Sequence, residues 1–504
     1  MCSANTIDEK SDKNEANGNK IMNDTSASHH APNHRHHHKK VVFREKQFTV
    51  RASLLTVLME KSDMRALRNF ITSCFILMFI GTMLNDTLTH KNPLYHFWLV
   101  VWNFNQLPQT LVVWLLMALS TLLPYFVLRV WSDSPSKRLA SKACNFSIAN
   151  SGKRLLETTR IAMKVHSFVR ENVPRVIRLK GAAKDKIIIS IVKLPFQHES
   201  GEAFPTIQQL AYYFFCPAFI YRDHYPRSDT RSWNVVLKYF VEVLLTILCT
   251  NVIFTQMIYP RFNPIDYTTS GVTFWIESMF ASVLPGLLCL MLLFYGLLHC
   301  WLNMFSEMLY FGDREFYLDW WNSRNMAEYY RRWNLVVHDW LYAYVYRDIA
   351  LLIGGKRGLK ISQTAVFFLS AAFHEYWFGV ALQFFYPVMR GLKISQTAVF
   401  FLSAAFHEYW FGVALQFFYP VMFVLYFIFG GIFYWVSTFI KNASAWNIAM
   451  FTNLLIGTGM FISFYSQEWY ARLRCSPISS NFFIDSVIPR HWFCTEYVDE
   501  SVVI

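Results

Sequence analysis

Apolar residues in this chain come in long unbroken blocks, not at the spacing of a soluble helix or strand. Eight blocks approach the ~20 residues that a bilayer demands of a helix: 69–86, 107–130, 235–258, 272–300, 362–384, 395–418, 423–440 and 447–465. Trp and Tyr gather at the block ends, as expected at a membrane–water boundary. Lys and Arg precede the first block, which places the N-terminus in the cytosol. The pattern predicts an all-α fold, a polytopic transmembrane helical bundle of about 8–10 membrane helices.

The stretches between blocks are polar. Residues 1–42 read as a disordered, His-rich cytosolic tail with no cleavable signal peptide. Its run His29–Lys40 (HHAPNHRHHHKK) suits a metal or, when protonated, anionic lipid; a solvated basic tail is the plainer reading. Residues 43–68, with Arg44, Lys46, Arg51, Arg65 and Arg68, predict an amphipathic segment on the membrane surface. The basic stretch 137–195 predicts a cytosolic helical segment. The sequon Asn85-Asp86-Thr87 lies too near the first block to be used. Residues 69–495 form the membrane domain and 496–504 a short C-terminal tail.

Composition agrees. Of 504 residues, 54% are hydrophobic and 18% aromatic, above the roughly 45–50% apolar share of soluble domains. Formal net charge is +13. With this hydropathy, an anionic membrane face or an anionic cofactor is a better partner than nucleic acid. The nine cysteines form no C-x2-C motif. Cys74, Cys249 and Cys289 sit singly in apolar blocks, as small core residues do. Cys475 and Cys494 flank a short polar loop and would pair if that loop faces an oxidising lumen.

Residues 357–389 recur without a difference as 390–422. The repeats of solenoids and transporters diverge; a perfect copy points to a recent exon duplication or an assembly error. Each copy holds one bilayer-length run, so the second adds a span and inverts the side on which everything downstream lies, unless the extra copy fails to insert.

Chemistry concentrates in two places. His374 stands in AVFFLSAAFHEYWFGVAL beside Glu375, in a run otherwise free of strongly polar groups. An ionisable residue inside a span is a functional candidate. Ser370, Ala371, Trp377 and Phe378 share its helical face. An apolar pocket keeps imidazole neutral and able to take a proton from a hydroxyl. A core histidine bonded to a neighbouring helix is the plainer alternative. His407 is its duplicate.

The second place is FYLDWWN, Phe316 to Asn322, followed by Tyr329, Tyr330, Arg331, Arg332, Trp333, Asn334 and His338-Asp339-Trp340. It is too polar to span and too aromatic for a free loop, which suits an interfacial or re-entrant segment. Asn322 can donate to a developing oxyanion or orient the histidine. Asp319 and Asp339 suit structural roles. Arg314, Arg324, Arg331 and Arg332 suit phosphates, or equally a solvated basic face. No G-x-S-x-G elbow, P-loop or dinucleotide fingerprint occurs, and no metal ligands stand at useful spacing.

FYLDWWN followed by an intramembrane HEYW resembles the membrane-bound O-acyltransferase superfamily, and within it the sterol O-acyltransferases. Supporting segments are LPQTLVVWLLMALSTLLPYFVL (107–128), FCPAFIYRDHYPR (215–227), YYRRWNLVVHDWLY (329–342) and FYSQEWYARLRC (464–475), within a likeness covering about residues 50–495. FYxDWWN is shared with diacylglycerol acyltransferases; FYSQEWYAR and the late cysteine pair look like the sterol branch.

The resemblance implies a membrane bundle of that family's type in the endoplasmic reticulum, dimeric or tetrameric. It implies acyl-coenzyme A as co-substrate, no cofactor or metal, and cholesterol or a related sterol entering from the bilayer. The HEYW histidine would be the general base, Asn322 its assistant, and Cys475–Cys494 a lumenal disulfide. Phe316, Tyr317, Asp319, Trp320 and Trp321 of the motif become candidates for binding acyl-coenzyme A. So do Tyr329, Arg331, Arg332, Trp333, Asn334 and His338 beyond it. The family has one such histidine. His374 keeps the usual distance from FYLDWWN and is preferred; His407 keeps the usual distance to FYSQEWYAR. Another lipid-alcohol acyltransferase, or a member inactivated by the added span, is the competing reading.

Overall fold

The computed structural model describes residues 43–133, 155–179, 204–268, 271–355, 419–481 and 488–497, with short pieces at 357–359, 361–362, 365–366 and 484–485. Among these there is no strand; three isolated bridges occur, Arg51 with Asp313, Arg227 with Phe311 and Cys475 with Tyr497. Five helical runs are long and apolar enough to cross a membrane: Ser62–His90, Tyr95–Asp133, Trp233–Phe262, Val283–Met308 and Ala443–Arg474. The fold is therefore an all-α polytopic membrane bundle. The expected spans 362–384 and 395–418 lie outside the described residues except at 362, 365 and 366; the block at 423–440 corresponds to the helix Pro420–Ser437.

Prolines set several boundaries. The Leu107–Ser120 helix stops at Ser120, because the Pro124 ring four residues on would meet that carbonyl. The apolar block 272–300 likewise divides into Val272–Ala281 and a helix starting at Val283, with Pro285 four residues beyond Ala281. The second piece runs on to Met308 through a π-helical stretch, Phe294–Trp301. Such wide turns are rare and concentrate at functional sites. Packing between spans is close. A Cβ on Gly286 would lie 2.7 Å from the Thr458 carbonyl oxygen, and one on Gly459 would lie 2.8 Å from that of Met279; small residues let membrane helices approach this way.

Residues 43–68 differ from the expected surface segment. Arg65 and Arg68 already belong to the Ser62–His90 helix, and only Leu54–Glu60 forms a short helix before it. Residues 43–53 carry no helix and run over the protein as a strap. Gly312 makes this possible. Its amide donates to the Pro226 carbonyl at 2.9 Å and its carbonyl accepts from the Arg51 amide at 3.0 Å. A Cβ there would lie 3.0 Å from both Pro226 O and Val50 Cγ2. Arg51 pairs with Asp313 at 2.6 Å and with Glu315 at 2.7 Å; Lys46 pairs with Asp339 at 2.9 Å. Phe48 packs edge-on against Tyr225 and Phe311.

Within 137–195, the described part is the helix Leu155–Leu179. It forms a wall of the core, with Phe168, Val176 and Ile177 buried in it. Buried Lys164 donates to the carbonyls of Tyr213, Cys216 and Ala218 at 2.6–2.9 Å. Arg170 meets Asp348, and Arg175 meets Asp223, each at 2.6 Å. A buried ammonium needs such partners to offset its lost hydration.

At the other end of the sequence, fully buried Glu468 gathers its neighbours. It accepts from Arg472 Nε at 2.6 Å, His491 Nδ1 at 2.8 Å and the Arg490 amide at 3.2 Å. Arg490 also grips Asp485 through two nitrogens. The Cys475–Cys494 disulfide, Cα–Cα 5.6 Å, closes this C-terminal knot.

Candidate functional site

The motif Phe316–Asn322 follows a turn in which Tyr310 adopts φ 57. Phe316, Tyr317 and Trp320 are buried, Trp321 is half-buried and Asn322 is exposed. Alternation of buried and open positions comes from a loop pressed against the Met326–Trp333 helix. The Leu318 amide donates to the Arg332 carbonyl and the Leu335 amide to the Phe316 carbonyl, both at 2.9 Å. Trp320 is ringed by Phe294, Trp333 and Tyr329 at centroid distances of 5.4, 4.7 and 6.0 Å. Asn325 caps that helix by accepting from the Glu328 amide, and Asn334 caps the next, Leu335–Trp340, by accepting from the Val337 amide.

Tyr317 reaches in the opposite direction. Its hydroxyl lies 2.8 Å from His299 Nδ1 and 2.9 Å from Ser53 Oγ. Burial pushes this phenol well above its ordinary range, against the hydrogen bond to Ser53 that lowers it, so it stays protonated and able to donate. The consistent arrangement has Ser53 O–H donating to Tyr317 and Tyr317 O–H donating to Nδ1, which leaves the His299 proton on Nε2. Asn303 donates to the His299 backbone carbonyl at 2.7 Å, and the Tyr239 and Tyr295 rings flank the imidazole at 5.7 and 5.3 Å. Ser53 also approaches Nδ1 at 3.3 Å. This is not a nucleophile with its base: the nearer phenol occupies the lone pair, and both Ser53 and His299 are sealed, at 1% and 3% exposure. The cluster can hold the motif in place but cannot attack a substrate.

The expected site residues thus divide. Phe316, Tyr317, Trp320, Trp321, Tyr329 and Trp333 form one aromatic body. The Arg332 guanidinium is engaged by Asp319 at 2.8 Å and Glu328 at 2.5 Å; Arg314 is similarly held by Glu307. Asp319 is that ion-pair partner, and Asn334 is a helix cap. Arg331 is half-buried in the last turn of its helix, and exposed Arg324 donates its amide to Glu328. Asn322 sits at the outer end of the motif with a 3.5 Å contact to Asp319. His338 stacks on Tyr342 and lies 3.3 Å from Asp339. Burial raises the Asp339 carboxyl, but hydrogen bonds from His338 and Lys46 outweigh it and hold the group below the usual carboxylate range. His374 and His407 lie outside the described residues. Among those described, no group of three or more potential metal ligands occurs.

Ser53, Lys164 and His299 were not marked by the sequence. His299 carried a usable signal, an ionisable residue within an apolar block, the same mark that singled out His374.

Comparison with known proteins finds relatives along most of the chain. Residues 111–392 match MBOAT, the membrane-bound O-acyltransferase family. The chain is 35% identical to sterol O-acyltransferase 1 of Mus musculus, over 89% of this chain and 79% of the relative. It is 36% identical to the Rattus norvegicus protein of the same name, over 89% and 78%. Against sterol O-acyltransferase 2 of Homo sapiens the identity is 34%, over 90% and 81%.

Proposed function

The chain belongs to the membrane-bound O-acyltransferase family and is an acyltransferase, and from that premise we propose that it moves a long-chain fatty acyl group from acyl-coenzyme A to a sterol hydroxyl. The observation that carries the sterol is the likeness to sterol O-acyltransferases along nine-tenths of the chain. The sterol oxygen attacks the thioester carbonyl carbon while a neutral imidazole takes its proton. The carbon–sulfur bond then breaks, and the departing thiolate receives that proton. Steryl ester and free coenzyme A leave.

His374 is the base in this reading, with His407 as its duplicate. His374 is preferred because it keeps the family's distance from the FYLDWWN loop, beside which the base must be placed. Asn322, at the open end of the motif, assists at the carbonyl oxygen. The aromatic body around Trp320 forms the floor for acyl-coenzyme A, which arrives from the cytosol, while the sterol enters from the bilayer. The protein works in the endoplasmic reticulum membrane with a cytosolic N-terminus, as a dimer or tetramer.

Purified protein given radiolabelled oleoyl-coenzyme A should label cholesterol. Labelling of diacylglycerol alone would remove the sterol assignment. Loss of turnover in His374→Ala but not in His407→Ala identifies the working copy; the reverse assigns His407, and no turnover in the parent would defeat the acyl-transfer reading.

A further inference from the structure

We propose that Ser53 is a positioning residue for acyl transfer, fixing the Phe316–Asn322 motif from the N-terminal strap through the Tyr317 phenol. The inference rests on the acyl-transfer reading above. Its first support is a missing cap. Ser53 stands at the N-cap of Leu54–Glu60, where serine ordinarily accepts from a backbone amide, yet its side chain makes no capping bond. The hydroxyl is turned instead to Tyr317 at 2.9 Å and His299 at 3.3 Å. A local stabilising contact has been given up for one that spans 264 positions of sequence.

The second support is that Ser53 is placed independently of the phenol it holds. Upstream, Lys46 and Arg51 are tied to Asp339, Asp313 and Glu315, and Arg222 donates to the Lys46 carbonyl at 3.0 Å. The third is leverage. Tyr317 follows Phe316, whose carbonyl is pinned by the Leu335 amide, so holding the phenol sets the direction in which the chain leaves toward Trp320 and Asn322. A small misplacement of such a loop costs rate far more than binding.

Ser53→Ala should lower kcat about tenfold or more while the KM for acyl-coenzyme A stays within about twofold. Ser53→Thr, which keeps the hydroxyl, should recover most of the rate. In a Tyr317→Phe background, Ser53→Ala should add little. Hydrogen exchange gives a readout needing no substrate: amides of 316–322 should exchange faster in Ser53→Ala while those of 443–474 do not change. An inactive parent enzyme would defeat the acyl-transfer reading, and the exchange pattern would still decide the positioning role. Unchanged exchange at 316–322, equal loss in Ser53→Thr, or additive effects with Tyr317→Phe would overturn the proposal.

Discussion

The Ser53–Tyr317–His299 cluster and the Glu468–His491 knot are both sealed from solvent, yet they are built from opposite materials. The first joins uncharged groups, each hydrogen bond worth a net ~0.5–1.5 kcal/mol. The second surrounds a buried carboxylate with cationic and amide donors and is closed by a disulfide. Removing one partner from a buried charge costs about 3–5 kcal/mol, because the others are left uncompensated. The knot therefore holds the fold, whereas the cluster sets geometry at little cost in stability. A protein can tune the uncharged kind of contact without risking collapse.

The sharpest way to break this contrast is Glu468→Ala, which takes the carboxylate away from Arg472 Nε and His491 Nδ1 and should cost about 3–5 kcal/mol. Thermal unfolding followed by size-exclusion in detergent would read it. Cys475→Ser comes next. Its bridge spans a sequence separation of 19, for which loop entropy gives about 3 kcal/mol, measurable as a lower melting temperature. Gly312→Ala tests the strap: the added methyl meets Pro226 O and Val50 at 3.0 Å, and relief of such overpacking typically costs about 1–3 kcal/mol. Protease cutting within 43–53 should quicken. The smallest effect belongs to Lys46→Met, under about 1 kcal/mol for a partly exposed pair. Asp339 titrates below its ordinary value, so the pair contributes fully above the unfolded value of about 3.9. The contribution fades as pH falls through the folded value. The melting difference between parent and variant should therefore persist at pH 7 and close only in strong acid.

Much of the bundle was legible because bilayer thickness dictates block length. The block 69–86 appears inside Ser62–His90, and 447–465 inside Ala443–Arg474. The ends were not legible, since polar residues such as Gln467 and Glu468 continue a helix once its partners bury them. The break at Ser282 was present in the sequence as Pro285 but was hidden by unbroken hydropathy. The aromatic body was readable from FYLDWWN. The ion pairs of Arg332 with Asp319 and Glu328 were not, because residue type alone does not show which carboxylates lie beside a guanidinium. Ser53 was invisible for a plainer reason: a serine in a polar stretch carries no mark, and its partners lie hundreds of positions away.

That distance has a consequence in time. Ser53 leaves the ribosome before Tyr317, 264 positions ahead of it. At about 5–20 residues per second, the strap waits on the order of tens of seconds while several spans enter the bilayer. Until Tyr317 emerges the strap has no phenol to hold, so the cluster cannot assemble until an early segment meets a late one. A nascent chain stalled before Tyr317 would present an unclasped N-terminal strap, a form that quality-control machinery could distinguish from the finished protein.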